Sequence, residues 1–163
     1  RSFLNSPGVI SAIVGGWQLG AIVTLSDGAP TNIGNIGDSF AVGGLGNIPH
    51  ASGISPVPEN QSVSNFWNIA AFDATNPNLI YLAGNAGRNI LFKPGTRQAD
   101  MSLSRNIHIR EGHMLQFRWE AFNATNHPNW NTPSTDARNV ATFGRVTSAR
   151  TMREMQFALK YLF

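Results

Sequence analysis

Four stretches of the chain alternate apolar and polar side chains with a period of two, and this pattern constrains the fold more than any other feature. Successive side chains of a β-strand point to opposite faces of a sheet, so each stretch predicts a strand with one apolar face. The predicted strands cover residues 15–27, 97–109, 114–123 and 152–163. Residues 110–113 predict a tight turn between the second and third strands. The sequence therefore predicts an all-β fold with an antiparallel sheet.

The segments between the other strands, residues 29–96 and 124–150, are rich in Gly, Asn, Ser and Pro. Such long irregular segments are uncommon in compact domains unless they serve a function, and they predict long loops. Within the first segment, apolar islands at residues 40–42, 66–72 and 79–82 predict only short pairings.

Three features indicate that the sheet lies in lipid rather than in a soluble sandwich. The predicted strands run about ten residues, which suits a tilted strand that crosses a bilayer, whereas globular strands average about five or six. Aromatic residues stand at strand ends, at Trp17, Tyr161 and Phe163. Short and long connections alternate, as in barrels with short periplasmic turns and long outer loops. We therefore predict a curved sheet that forms the last strands of a transmembrane β-barrel.

The two faces of the predicted strands differ in polarity. The apolar face is interrupted by Arg105, between Leu103 and Ile107. The other face is polar with few charges, which suits a wet or plugged lumen. The side chains predicted to face the lumen are Gln18, Thr24, Ser102, Ser104, Gln116, Arg118, Glu120, Gln156 and Lys160.

Four strands cannot stand alone in hydrocarbon, because every backbone group there must be paired. The chain also begins at Arg1 without a Met. We therefore expect residues 1–163 to be the carboxy-terminal part of a longer barrel whose upstream strands lie outside this sequence.

A series of short motifs resembles the TonB-dependent receptors of the Oar-like kind, and the resemblance extends over nearly the whole chain. Each motif is weak alone, but their order is specific. The motifs are Arg1-Ser-Phe-Leu-Asn5, Val14-Gly-Gly-Trp-Gln-Leu19, Asp27-Gly-Ala-Pro30, Gly84-Asn-Ala-Gly-Arg-Asn89, Lys93-Pro-Gly95, Asp100-Met-Ser-Leu-Ser-Arg-Asn106, Leu115-Gln-Phe-Arg-Trp-Glu-Ala-Phe-Asn123, Asn126-His-Pro-Asn129, Phe143-Gly-Arg145 and Lys160-Tyr-Leu-Phe163.

The resemblance implies a barrel of about 22 strands with an amino-terminal plug, whose opening is energised by TonB. It implies uptake of a scarce substrate such as a carbohydrate, a peptide or a chelate, with outer-membrane lipid and, through the upstream region, TonB as partners. The last strand is also similar to the signature that outer-membrane proteins present to the barrel-assembly machinery. The residues that fit that signature are Met155, Phe157, Leu159, Tyr161 and Phe163.

The sequence contains no motif that would support several other functions. The stretch 84–89 lacks the Lys-Ser/Thr ending of a phosphate-binding loop and predicts a loop turn. The four histidines have no metal-ligand spacing, no Gly-x-Ser-x-Gly elbow occurs, and the basic residues are scattered. We therefore expect no catalysis, metal, cofactor or nucleic-acid partner. For Arg118 and Glu120 we expect a structural network rather than a substrate contact. For residues 126–129 we expect a shaped outer loop rather than a ligand site.

A soluble β-sandwich that binds carbohydrate is the alternative interpretation. Its stacking residues would be Trp17, Trp67, Trp119 and Trp130. A secreted hydrolase has less support, because it would need a cleft with a perturbed acid or nucleophile.

Overall fold

The computed structural model describes residues 14–34, 48–76 and 84–163, and these residues form two compact units. The sheet unit contains residues 14–25, 97–128 and 151–163. The loop unit contains residues 26–34, 48–76, 84–96 and 129–150. The predicted islands at 40–42 and 79–82 lie outside the described residues.

The sheet unit is built on four long strands. They are β1 (Trp17–Ser26), β6 (Thr96–Arg110), β7 (His113–Phe122) and β8 (Glu154–Leu162), in the order β1-β6-β7-β8. β7 is antiparallel to both of its neighbours, β6 and β8. The four strands agree with the four predicted ones to within two residues at each end, and the prediction of an antiparallel all-β sheet is confirmed.

Side-chain positions show that β1 is also antiparallel to β6. Trp17 lies beside Arg105, with the guanidinium carbon 5.4 Å from the ring centroid. Gly20 lies beside Ser102, whose Oγ is 2.7 Å from the place that a Cβ on Gly20 would occupy. Residue numbers thus rise along β1 as they fall along β6, which is the antiparallel arrangement.

The predicted tight turn joins β6 to β7 and is confirmed. Arg110 pairs with His113 across Glu111 and Gly112, and the register shifts between His108 and Arg110. Gly112 has φ +75°, a left-handed conformation that glycine adopts without steric cost. This turn marks one end of the sheet, which we call the turn end.

At the other end of the sheet, Asn123 closes the β7 strand. Its backbone N–H donates to Asp100 Oδ1 at 2.8 Å, and Ala124 N–H donates to the Ala99 carbonyl at 2.7 Å. The Asn123 side chain accepts from His127 N–H at 3.1 Å and donates to the His127 carbonyl at 2.9 Å. Asn126 Oδ1 accepts from the backbone N–H of Arg153, just before β8. The predicted shaped loop after β7 is thus held by a dense set of hydrogen bonds.

The loop unit contains four two-residue strands and one short 3-10 helix. The strand β2 (Pro30–Thr31) pairs with β5 (Leu91–Phe92), and β3 (His50–Ala51) pairs with β4 (Phe72–Asp73), both antiparallel. The helix Ile69–Ala71 is capped by Asn68, whose side chain accepts from Ala70 N–H.

The loop unit also has a hydrophobic core. Trp67 and Leu91 are each 1% exposed, and Phe72 and Phe143 pack around them. The Trp67 Nε1–H donates to the Phe92 carbonyl at 3.1 Å, so the buried indole keeps its hydrogen bond. The segments predicted as long loops do connect the long strands. Their described parts, however, share a hydrophobic core that the sequence pattern did not indicate.

Two close backbone approaches explain glycines of the predicted motifs. Gly84 lies against the backbone of Ile48 and Pro49, so a side chain there has no space. Gly144 has φ +67°, and a Cβ on it would lie 2.5 Å from the Trp67 carbonyl oxygen. Residues 84–89 form irregular chain and a turn, as predicted.

No helix in the described ranges has the length and the apolar character needed to cross a membrane.

Candidate functional site

The polar residues of the sheet lie in cross-strand rows on one face, which we call the polar face. Side chains directly opposite one another on paired strands share a face. Three rows follow from the strand register, and they contain Asn106, Gln116 and Lys160, then Ser104, Arg118 and Ala158, then Ser102, Glu120 and Gln156.

Side chains along the polar face contact one another directly. The Gln156 amide donates to Glu120 Oε2 across the β7-β8 pair, and Arg118 Nη1 lies 3.8 Å from Glu120 Oε1. The Gln116 amide donates to Asn106 Oδ1 at 3.0 Å. Arg118 is half-exposed, so its ion pair contributes little to stability. Arg118 and Glu120 thus contact each other and Gln156 joins them, while a structural role rather than a substrate contact stays a prediction.

A groove of about 380 Å³ lies next to this network. Its polar-face lining consists of Gly20, Ile22, Asp100, Ser102, Glu120 and Phe122. Because Gly20 has no side chain, the space beside the Ser102 hydroxyl stays open. Asp100 Oδ1 accepts from Asn123 N–H and from the Gln98 amide, which fixes the carboxylate at the edge of the groove. Two carboxylates, a hydroxyl and two apolar walls can bind a ligand that has both hydroxyl or amino groups and an apolar surface.

All nine side chains predicted to face the lumen belong to the polar face. Seven of them stand in the three rows, and Gln18 and Thr24 share the parity of Gly20 on β1, which faces Ser102. The structure thus brings together Ser102, Glu120 and Gln156, whereas Thr24 lies outside the three rows. That this face lines an aqueous lumen stays a prediction.

Four residues of the groove were not among the predicted lumen residues, namely Gly20, Ile22, Asp100 and Phe122. Ile22 and Phe122 are apolar residues on a polar face, and both are exposed. Two apolar side chains at polar positions of the alternation are the signal that could have located the groove, once the strand register was known.

The opposite face of the sheet is apolar and exposed, and we call it the apolar face. Leu19, Val23, Leu25, Phe157 and Leu159 each expose at least 65% of their surface. Tyr161, Leu159, Phe157 and Met155 pair in turn with Leu115, Phe117, Trp119 and Ala121, so these four residues of the predicted assembly signature lie on this face. Monomers in water rarely expose so continuous an apolar surface, which matches the exposed apolar band that the alternation predicts.

Aromatic residues of the apolar face gather at the turn end. His113 stacks on Tyr161 at 5.7 Å between ring centroids, and Tyr161 stacks on Phe163 at 5.9 Å. Trp17 makes an edge contact with Phe117 at 5.7 Å. Tyr161 and Phe163 thus lie at the turn end, whereas Trp17, at the start of β1, lies beside Arg105 and Phe117, nearer the middle of the sheet.

The histidines do not assemble with other ligand side chains in the described ranges. Within those residues, no group of three or more His, Asp or Glu side chains is close enough to hold a metal ion. His113 instead shares a hydrogen bond with the Tyr161 hydroxyl through Nδ1.

A comparison with protein families finds one match that covers nearly the whole chain. The model of the outer membrane beta barrel domain matches residues 1–156. No curated protein and no solved structure matches the chain significantly.

Proposed function

The chain belongs to the outer membrane beta barrel family, and on this premise we propose that it forms part of the barrel of a TonB-dependent transporter. The family places the chain in the cell outer membrane. The transporter type, the plug and the dependence on TonB are our proposal. They are supported by the resemblance to the Oar-like receptors, motif by motif, along residues 1–163.

The observation that carries the proposal is the separation of the two faces of the sheet. One face exposes large apolar side chains, and the other presents hydrogen-bonded polar rows and a groove. A barrel wall needs both, because its outer surface contacts lipid and its inner surface contacts water, a plug or a substrate.

The outer strands of the sheet, β1 and β8, are not paired with each other in the described part of the chain. Unpaired strand edges cannot lie in hydrocarbon, since each free backbone group costs several kcal/mol there. We propose that further strands of the intact protein pair with both edges and close the barrel. Residues 1–163 would then supply one part of its wall.

The groove supports uptake of a polar substrate. Asp100, Ser102 and Glu120 offer acceptors to hydroxyl or amino groups, and Phe122 offers an apolar wall. A carbohydrate, a peptide or a chelate would each satisfy this chemistry. The predicted lumen residues would contact the plug or the substrate during passage.

The soluble carbohydrate-binding alternative is not supported. Trp67 is buried in the core of the loop unit, and Trp17 and Trp119 lie on the apolar face of the sheet. Trp67 is therefore not available to stack on a sugar, and the family is one of the outer membrane.

The orientation follows from the lengths of the connections. Short turns of such barrels face the periplasm and long loops face outward. We therefore propose that residues 110–113 are periplasmic. Protease added to intact cells should cut within residues 33–96 or 124–150 and spare the short turn. Cleavage at residues 110–113 in sealed cells would reverse the orientation.

A plugged transporter and an open pore differ in conductance. We expect the full-length protein, purified in detergent and inserted into a planar bilayer, to conduct few ions because the plug fills its lumen. We also expect it to bind the periplasmic domain of TonB. A large, steady conductance without TonB binding would identify an open porin-like barrel and would contradict the proposal.

A further inference from the structure

The charged side chains of the polar face are separated by sign along the strands. Carboxylates come first from the end opposite the turn end, and cations follow toward the turn. We call the first group the acidic part, and it contains Asp100, Glu120 and Glu154. The second group, the basic part, contains Arg118 and Lys160. The strand β1 adds no charge, because Trp17–Ser26 contains no charged residue.

Each part borders a groove. The groove of about 380 Å³ is lined by Asp100 and Glu120 of the acidic part. A smaller groove of about 180 Å³ is lined by Arg118, Glu120 and Ala158. Ala158 stands opposite Arg118, and its small side chain leaves space beside the guanidinium. Because Glu120 borders both grooves, one ligand can occupy the two together.

The carboxylates of the acidic part can accept further hydrogen bonds. Asp100 Oδ1 accepts from Asn123 N–H, and the Gln98 amide donates to both Asp100 oxygens, at 2.9 and 3.0 Å. These contacts use three of the roughly four acceptor sites of a carboxylate, so one site on Oδ2 remains for a ligand. Glu154 is exposed and adds a negative charge at the same end. This part of the face therefore suits an ammonium group.

The two cations of the basic part are close to each other. Arg118 pairs with Ala158, and Lys160 follows two residues later on β8, so the cations are diagonal neighbours with about 7–8 Å between their Cα atoms. Lys160 is exposed and forms no ion pair with any residue in the described ranges. Arg118 exposes 53% of its side chain and has one long contact, with Glu120. The cations repel each other, and an anionic group between them would relieve that repulsion.

The distance between the two parts indicates the length of a ligand that contacts both. The midpoint of Asp100 and Glu120 lies four residues along the strands and one strand across from the midpoint of Arg118 and Lys160. This offset corresponds to about 14 Å, at 3.3 Å per residue and 4.8 Å between strands. An extended peptide covers about 3.3–3.6 Å per residue, so a peptide of about four residues has the matching length.

We propose that the polar face binds a short peptide, with its α-amino group beside Asp100 and Glu120 and its α-carboxylate between Arg118 and Lys160. An ammonium group donates to carboxylates, and a guanidinium can hold a carboxylate through two parallel N–H···O bonds. Phe122 lines the larger groove and offers apolar surface to a side chain near the amino terminus. An uncharged carbohydrate would neutralise neither part. This substrate class rests on the transport function proposed above.

The test measures binding of tetraalanine to the full-length protein in detergent by isothermal titration calorimetry. Two blocked peptides serve as comparisons, since N-acetyl-tetraalanine lacks the positive terminal charge and tetraalanine amide lacks the negative one. We expect each blocked peptide to bind about tenfold more weakly than tetraalanine, as is typical for the loss of one charge-assisted hydrogen bond. This comparison uses the wild-type protein and does not depend on the folding of any variant.

Matched variants locate each end of the peptide. Lys160→Met should weaken binding of tetraalanine about tenfold but leave binding of tetraalanine amide unchanged, because the amide has no carboxylate. Glu120→Gln should weaken binding of tetraalanine but not of N-acetyl-tetraalanine. Lys93→Met removes the same charge as Lys160→Met, but from the loop unit, and should bind tetraalanine as wild type does. Heat-modifiable mobility confirms that each variant is folded.

Several results would overturn the proposal. Weakening by only one of the two blocking groups, or by neither, would show that the face does not bind both termini. Equal losses for Lys160→Met and Lys93→Met would show that the position of the charge is irrelevant. Protein that binds TonB but no tetraalanine would refute the peptide site and leave the proposed transporter intact. Protein that binds tetraalanine as expected but not TonB would refute the transporter and leave the site intact.

Discussion

Replacing Phe157 by arginine should destabilise the folded barrel much more than replacing its neighbour Gln156 by arginine. Phe157 exposes 70% of its surface on the apolar face and pairs with Trp119. It lies four residues from Tyr161 along β8, which corresponds to about 10 Å of depth from the aromatic interface. This is close to the midplane of an apolar band that is about 25 Å tall.

The expected magnitude follows from that depth. Arginine on the lipid face near the midplane costs about 2–4 kcal/mol. Gln156 points to the polar face, where its amide already contacts the Glu120 carboxylate, so an arginine there gains an opposite charge. We expect Gln156→Arg to change the stability by less than about 0.5 kcal/mol, as most surface substitutions do. The two variants should therefore differ roughly 30-fold to 700-fold in the folding equilibrium constant.

The assay is urea unfolding of the full-length protein in lipid vesicles, followed by heat-modifiable mobility. If the sheet were in water, Phe157→Arg would replace an exposed apolar side chain by a charged one at little cost. Equal midpoints for the two variants, or a lower midpoint for Gln156→Arg, would refute the assignment of the apolar face to lipid.

Two further predictions concern the loop unit and the end of β7. Gly144→Ala and Gly53→Ala both put alanine at a positive φ, but of these two glycines only Gly144 faces a backbone carbonyl. Gly144→Ala should therefore destabilise the loop unit by at least about 1 kcal/mol more than Gly53→Ala. Susceptibility of the loops to protease measures the difference. Equal susceptibility would mean that the contact with Trp67 is irrelevant. Asn123→Ala removes two hydrogen bonds to His127 and replaces asparagine, which tolerates the φ of +50° at this position, by a residue that tolerates it less well. The free energy of unfolding in urea should fall by about 1–3 kcal/mol. Asn123→Asp keeps the acceptor and should cost less, and the reverse order would contradict this account.

The long strands could be predicted from the sequence because the alternation of apolar and polar residues within each strand indicates which of its faces is apolar. Alternation along residues 114–122 and 154–162 determines which side chains share a face, and a period of two admits only one such division. The turn at Gly112 has a local signal as well, since it follows a run of alternation and contains a glycine. Both features depend on neighbours in sequence.

The core of the loop unit could not be predicted in this way. Trp67 packs on Phe143, which lies far along the chain, and its indole bonds to the carbonyl of Phe92. No periodic pattern in the sequence indicates such contacts, because the chain around them has almost no regular secondary structure. The glycines at 84 and 144 appeared only as motif members, whereas the structure gives their physical reason, which is close backbone approach.

The candidate site, like the fold, could be predicted from the sequence only in part. The polar face followed from alternation, but the groove depends on the register that places Gly20 beside Ser102 and Ser102 beside Glu120. Arg105 was visible as an interruption of the apolar face, although its contact with Trp17 depends on the pairing of β1 with β6. Pairing between strands that are distant in sequence is set by the whole sheet, so a single strand does not reveal it.

The central claim, that one face of this sheet contacts lipid and the other contacts water, is tested most directly by spin labels along β8. Residues 1–163 contain no cysteine, so single cysteines can be introduced at positions 154–161 of the full-length protein in a cysteine-free background. After reconstitution in vesicles, collisions with oxygen report lipid and collisions with a nickel chelate report water. We predict oxygen maxima at 155, 157, 159 and 161 and nickel maxima at 154, 156, 158 and 160. Uniform access of the nickel chelate to all eight positions would contradict the membrane-spanning account.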